Sequence, residues 1–116
     1  MQRKSVAQIL LTVALALVFG FFGIDKFLSP IVWIGWIPQW MEGFLSLHRD
    51  AWLRVIGLTE LLLALLILIP VQKIRQIGVI LICIHLIAIL TQTGWNDIGV
   101  RDAGLLLSAL ALLFLL

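Results

Sequence analysis

Two ionisable residues sit inside long apolar runs of this sequence. Glu60 lies within Gly57-Leu58-Thr59-Glu60-Leu61-Leu62-Leu63, and His85 lies within Leu81-Ile82-Cys83-Ile84-His85-Leu86-Ile87. A carboxyl and an imidazole can between them accept hydrogen bonds, donate them and carry protons. Ionisable groups set in such surroundings are costly, face the interior of a bundle, and are functional candidates by default. Four more charges stand at the ends of the apolar runs, Asp25 with Lys26 and Arg101 with Asp102. Two readings compete for these residues. In one, the four pair with each other and lock the helix ends. In the other, they line an outward cavity with Glu60 and His85 at its floor. Pairing is the stronger reading for the shallow four, and a site is the stronger reading for Glu60 and His85. No catalytic motif stands out, so catalytic residues are unknown. The two histidines and single cysteine form no metal-ligand cluster, and no Gly-rich phosphate loop precedes a soluble helix. His48 reads as an interfacial polar residue, and Cys83 as packing.

The elements that must position these groups follow from composition. Of the 116 residues, 63% are hydrophobic and 12% charged, with a mean hydropathy of +1.20. A soluble domain of this size lacks the polar groups to cover such a surface, whereas lipid tolerates it. Apolar runs cover Val6 to Leu28, Trp52 to Ile69, Ile77 to Leu90, and Ile98 to Leu116. Each is close to the roughly 20 residues a membrane helix needs, the third only with Gln76 and Thr91-Gln92 at its ends. The fold class is therefore an all-α membrane protein, a single-domain bundle of four transmembrane helices over 1–116. The first run could imitate a secretory signal cleaved at Ala14-Leu15-Ala16, but it continues through Val18-Phe19-Gly20-Phe21-Phe22, which fits an uncleaved anchor better. The basic balance of +2 shows no cluster with interleaved aromatics, so nucleic acid is not an expected partner. With one cysteine no intrachain disulfide can form, and the lack of a Cys-x-x-Cys pair argues against a thiol–disulfide enzyme of the vitamin K epoxide reductase type.

Lys and Arg placement gives an orientation. Arg3 and Lys4 precede the first run, and Lys73 and Arg75 fall in a tight turn over 71–76, with no acidic residue in either segment. Both termini and this turn are expected on the cytoplasmic side of the inner membrane, with 29–51 and 91–101 outside. Anionic lipid at Lys4, Lys73 and Arg75 is the lesser alternative to a pure topology signal. The segment 29–51 carries Trp33, Trp36 and Trp40 between and beyond Pro30 and Pro38. After Pro38 its apolar residues recur in a roughly helical rhythm, which predicts a short interfacial helix, against an equal alternative of a loop packed over the bundle mouth.

Small residues let membrane helices approach. They form inward stripes of Thr12, Ala16, Gly20, Gly23 and Lys26 on the first helix and of Gly57, Glu60 and Ala64 on the second. On the third helix the stripe is Gly78, His85, Ala88 and Gln92. On the fourth it is Asp97, Arg101, Gly104, Ser108 and Ala111. Gly20, Gly23 and Gly104 are thus expected at helix contacts. In antiparallel helices rising about 1.5 Å per residue, Glu60 and His85 both sit roughly 10–12 Å below the outer surface. They can share a level, with Asp25, Lys26, Arg101 and Asp102 in a shallower layer.

Phe19-Gly20-Phe21-Phe22-Gly23-Ile24-Asp25-Lys26-Phe27 resembles the first-helix signature of the DoxX family, a glycine-rich stretch ending in a lysine. Trp33…Trp36-Ile37-Pro38 is similar to the loop of a DoxX-like branch. Gly57-Leu58-Thr59-Glu60 resembles the second helix of the family, and Arg101-Asp102-Ala103-Gly104-Leu105 the start of its fourth. The resemblance spans nearly the whole chain. It implies a small membrane subunit of a redox system that binds a quinone or an accessory partner in the outward pocket, through Glu60 and His85. No haem, flavin or iron–sulfur ligands are identifiable, so a partner oxidoreductase subunit would supply electrons. Distant relatives that act as cargo receptors or assembly chaperones imply the alternative, a non-enzymatic scaffold packing against other membrane helices. A homo-oligomer suits either, and a small-solute transporter ranks third because four helices show no repeat.

Overall fold

The computed structural model describes residues 2–116. Five α-helices follow in order: α1 (Arg3–Leu28), α2 (Pro30–Ile34), α3 (Arg49–Leu68), α4 (Gln72–Thr93) and α5 (Asp97–Leu115). Single 3-10 turns at Gln39–Met41 and Phe44–Ser46 stand between α2 and α3. Four of the helices, α1, α3, α4 and α5, are long and apolar enough to cross a bilayer. The molecule measures 49 Å along its longest axis, which exceeds the roughly 30 Å hydrocarbon layer. The expected all-α architecture of four spans is therefore present, that of a multi-pass membrane protein.

The long helices form a closed ring in chain order, α1 against α3, α3 against α4, α4 against α5, and α5 back against α1. Their ends follow from local chemistry. Ile69 leaves α3 in an extended conformation ahead of Pro70, which cannot continue a helix, and α4 begins at Gln72. The tight connection is therefore shorter than the expected 71–76 turn, and Lys73 and Arg75 stand on the first turns of α4. At the other end Gly94 closes α4 with φ +72° and ψ −160°, a region open essentially to glycine. Asn96 then caps α5, its side chain accepting from Gly99 N at 3.0 Å.

The segment over the bundle mouth differs from expectation. The helix comes before Pro38, because Pro30 occupies the first helical position of α2, where its fixed φ and missing N–H suit helix initiation. After Pro38 there is no interfacial helix. Gly43 (φ +80°), Leu45 (φ +52°) and Ser46 (φ +63°) take left-handed conformations that break the chain into two 3-10 turns. The packed loop is the reading that holds, with Ile37 buried beneath it.

The close-packed core includes Leu15 and Phe19 of α1, Leu63 and Ile67 of α3, Ile82 and Leu86 of α4, and Ala109 and Leu112 of α5. The stripe of α3 faces inward as expected, through Gly57, Glu60 and Ala64. On α1 the buried line is Thr12, Leu15, Phe19, Gly23 and Lys26. Gly23 therefore lies at a helix contact, whereas a Cβ at Gly20 would meet nothing within 4 Å. On α5 the expected face is turned away. Gly104 and Ala111 are exposed, and the buried line is Gly99, Asp102, Ala109 and Leu112. On α4 the expected face does point inward, with Gly78 buried and Ala88 and Gln92 lining the opening beside His85, so the small residues that miss their contacts are on α1 and α5. The reason is shape: hydrocarbon solvates leucine as readily as a protein core does, so small residues are required only where two backbones nearly touch.

Candidate functional site

Toward the mouth of the bundle the core gives way to a cavity of about 340 Å³. Its floor and walls come from all four long helices, with Phe22 and Lys26 from α1, Glu60 from α3, His85 and Gln92 from α4, and Arg101 and Asp102 from α5. Its roof is the segment carrying Trp33, Trp36, Ile37 and Trp40. The lining is chiefly apolar and aromatic with a few converging polar groups, the usual make-up of a small-molecule site.

Glu60 is the hub. Lys26 Nζ lies 2.5 Å from its Oε1, and His85 Nε2 lies 3.5 Å from its Oε2. The side chains of Lys26 and Glu60 are 8% and 6% exposed, so this is a buried ion pair. Helix geometry produces it: Gly23 and Gly57 let α1 and α3 approach until Lys26 Cβ lies beside Gly57, which sets the ammonium level with Glu60, one turn further along α3. The lysine also lies 4.2 Å from the centre of the Trp33 ring, a cation–π contact. Neither Glu60 Oε1 nor His85 Nε2 has an aligned hydrogen-bond partner among the described residues, although both atoms are buried. The Lys26–Glu60 contact is thus close in distance but off the hydrogen-bond direction. Both atoms lie behind the cavity surface, Oε1 against the Lys26 ammonium and Nε2 against the other Glu60 oxygen, so the three side chains form one polar cluster at the cavity lining.

Arg101 and Asp102 form a second, local pair. Arg101 Nε and Nη2 donate to Asp102 Oδ1 at 3.2 and 3.1 Å, and the guanidinium carbon stands 4.5 Å from the Phe22 ring centre. Asp25 does not line the cavity. It accepts from Trp33 Nε1 at 2.8 Å and so ties the roof to the end of α1. Of the six sequence candidates the structure therefore brings Lys26, Glu60, His85, Arg101 and Asp102 together at one cavity and gives Asp25 a supporting place. The expected pairing within the shallow four holds only for Arg101 and Asp102, since Lys26 pairs with Glu60 and Asp25 with Trp33, while Glu60 and His85 share a level as expected.

The roof has further ties. Trp40 Nε1 donates to Gln92 Oε1 at 3.1 Å, and Arg49 Nη2 donates to the Ile34 carbonyl at 3.0 Å. Glu42 accepts from His48 Nδ1 at 2.7 Å and from Arg49 N at 2.8 Å. That pair lowers the Glu42 carboxyl below its ordinary range, first through the His48 hydrogen bond, and raises the His48 imidazole through the same bond. His48 is thus an exposed polar residue that also staples the loop through Glu42. The aromatic members of the site, Phe22 and Trp33, were not singled out from the sequence as site residues. One signal was available: Phe22 precedes Lys26 by four residues and so shares its face.

With the geometry in place, comparison with known proteins gives one match. The family described as a domain of unknown function (DUF8561) matches residues 15–93. The chain belongs to that family. No curated protein and no solved structure matches it. The matched DUF8561 region contains Lys26, Glu60 and His85, the buried hub, and ends before the Arg101–Asp102 pair.

Proposed function

We propose that this DUF8561 protein is a small DoxX-like subunit of a membrane redox system that binds a quinone headgroup in the cavity beneath Trp33 and Trp40. The observation that carries the reading is the Lys26–Glu60–His85 hub, three polar side chains that converge at the lining of an otherwise apolar, aromatic cavity. A quinone ring is flat and apolar with polar oxygens, which suits aromatic walls and a polar floor. His85 and Lys26 can donate to carbonyl oxygens, and Glu60 can accept from the hydroxyls of the reduced form. Electrons would come from a partner oxidoreductase subunit. The proposed setting is the cytoplasmic membrane, with both termini inside, because Arg3, Lys4, Lys73 and Arg75 share one end of the bundle. A periplasm-active reporter fused after Leu116 should then stay silent, and a strongly active fusion would reverse the orientation.

Trp33, Trp36 and Trp40 line the cavity and provide the assay. A short-chain benzoquinone titrated into the purified protein should quench their fluorescence saturably. His85→Ala should weaken that binding by about tenfold, the loss of one good hydrogen bond, and leave the thermal unfolding temperature nearly unchanged. Glu60→Gln alone strands the buried Lys26, so its effect on binding is better read in a Lys26→Met background. Non-saturating quenching, or equal affinity for wild type and His85→Ala, would sink the quinone reading. One observation favours the scaffold alternative: the face of α5 with Gly104 and Ala111 is exposed and unfilled, which would admit the helix of a partner subunit.

A further inference from the structure

The opposite end of the bundle holds a second, independent feature. All six acidic residues lie in the half that contains the cavity, whereas Arg3, Lys4, Lys73 and Arg75 occupy the other end. There, a cleft of about 380 Å³ opens between the starts of α1 and α4 and the end of α5, lined by Lys4, Gln8, Gln72 and Arg75 with Pro70, Leu115 and Leu116. Two backbone oxygens in the cleft are already used. Gln8 Nε2 donates to Leu115 O, and Gln72 Nε2 donates to Leu116 O.

Arg75 is held in place by its own network. Its Nη2 donates to Thr12 Oγ1 at 2.7 Å, and Thr12 in turn donates to the Gln8 carbonyl at 2.7 Å. This uses one of the five guanidinium N–H groups and fixes the side chain between α1 and α4. Lys4, exposed on the first turn of α1, supplies a second cation on the cleft rim. No carboxylate side chain is among the lining residues. A half-buried, oriented guanidinium with an exposed ammonium beside it presents donors to a phosphate, with no acidic side chain lining the cleft.

We infer that this cleft is a binding site for the phosphate of an anionic phospholipid, with Arg75 as the fixed contact and Lys4 as the flexible one. The source is lipid rather than free phosphate because the cleft is walled by Pro70, Leu115 and Leu116, apolar side chains against which acyl chains can pack. Basic pockets between membrane helices bind anionic headgroups by this chemistry.

The test uses the full chain in neutral detergent, offered equal amounts of phosphatidylglycerol and phosphatidylcholine, with retained lipid measured by native mass spectrometry. Phosphatidylglycerol should be retained about tenfold more, and each of Lys4→Gln and Arg75→Gln should reduce that preference by about fivefold. Lys4→Arg should keep it. Arg75→Gln also removes the Thr12 bond, so if that variant fails to fold, the exposed Lys4→Gln decides alone. Equal retention of the two lipids, or an unchanged preference in Lys4→Gln, overturns the site. Displacement of phosphatidylglycerol by an equal concentration of inorganic phosphate overturns the lipid assignment. His85→Ala should leave lipid preference intact, which separates this site from the quinone cavity.

Discussion

Lys26→Ala should lower the unfolding free energy by about 3 kcal/mol, whereas Lys73→Ala should change it by less than about 0.5 kcal/mol. Both substitutions remove one ammonium. The difference lies in what is left behind. Lys73 is exposed on the first turn of α4, with water at hand. Lys26 and Glu60 are both buried and 2.5 Å apart, so removing the lysine strands a carboxylate with only His85 beside it. The Trp33 cation–π contact is lost as well. Thermal or denaturant unfolding in detergent measures the effect. Replacing both partners with apolar residues, Lys26→Met with Glu60→Leu, should recover most of the loss, because no uncompensated charge remains. Equal destabilisation by Lys26→Ala and Lys73→Ala would mean that the lysine reaches water and the pair contributes little.

A comparable loss is expected at Gly23. A Cβ there would stand 2.8 Å from the Gly57 carbonyl oxygen and 2.8 Å from Leu61 Cγ. The relation is reciprocal, since a Cβ on Gly57 would meet Gly23 O at 3.0 Å and Lys26 Cβ at 3.1 Å. Backbone cannot yield as a side-chain tip can, so α1 must move off α3. Gly23→Ala should cost about 1–3 kcal/mol, and Gly23→Leu at least as much. Gly20→Ala and Gly104→Ala, with no atom within 4 Å of the new carbon, should be neutral or stabilising by up to about 1 kcal/mol through helix propensity. Because the Gly23–Gly57 approach also brings Lys26 level with Glu60, Gly23→Leu should weaken benzoquinone binding beyond its effect on stability. Equal unfolding temperatures for Gly23→Leu and Gly20→Leu would show that α1 and α3 do not make this close contact.

The contrast between these glycines shows where sequence reasoning reached its limit. Gly20, Gly23 and Gly104 were all expected at helix contacts, yet of these three only Gly23 meets another backbone. In water an amphipathic pattern states which face of a helix is buried. In a chain whose helices are apolar on every side, that pattern is nearly silent, and rotation about the helix axis is left to fit. On α5 the inward line passes through Asp102 and Ala109, rotated from the expected line through Gly104 and Ala111. The α3 stripe was legible because Glu60 is expensive to expose to hydrocarbon, and one such residue fixes the rotation of its helix.

The sequence by itself determined four apolar spans and the concentration of acidic residues in one half of the bundle. It also marked Glu60 and His85 as ionisable groups at one depth, because rise per residue and chain direction are properties of single helices. Only the tertiary structure decided that Lys26 crosses to Glu60, that Arg101 turns to its neighbour Asp102, and that Asp25 binds Trp33 instead of a cation. It also decided that the tryptophan segment roofs a cavity. These choices rest on contacts between helices a few ångströms apart, where one close glycine approach sets which charges meet, and no periodicity within a single helix encodes that distance.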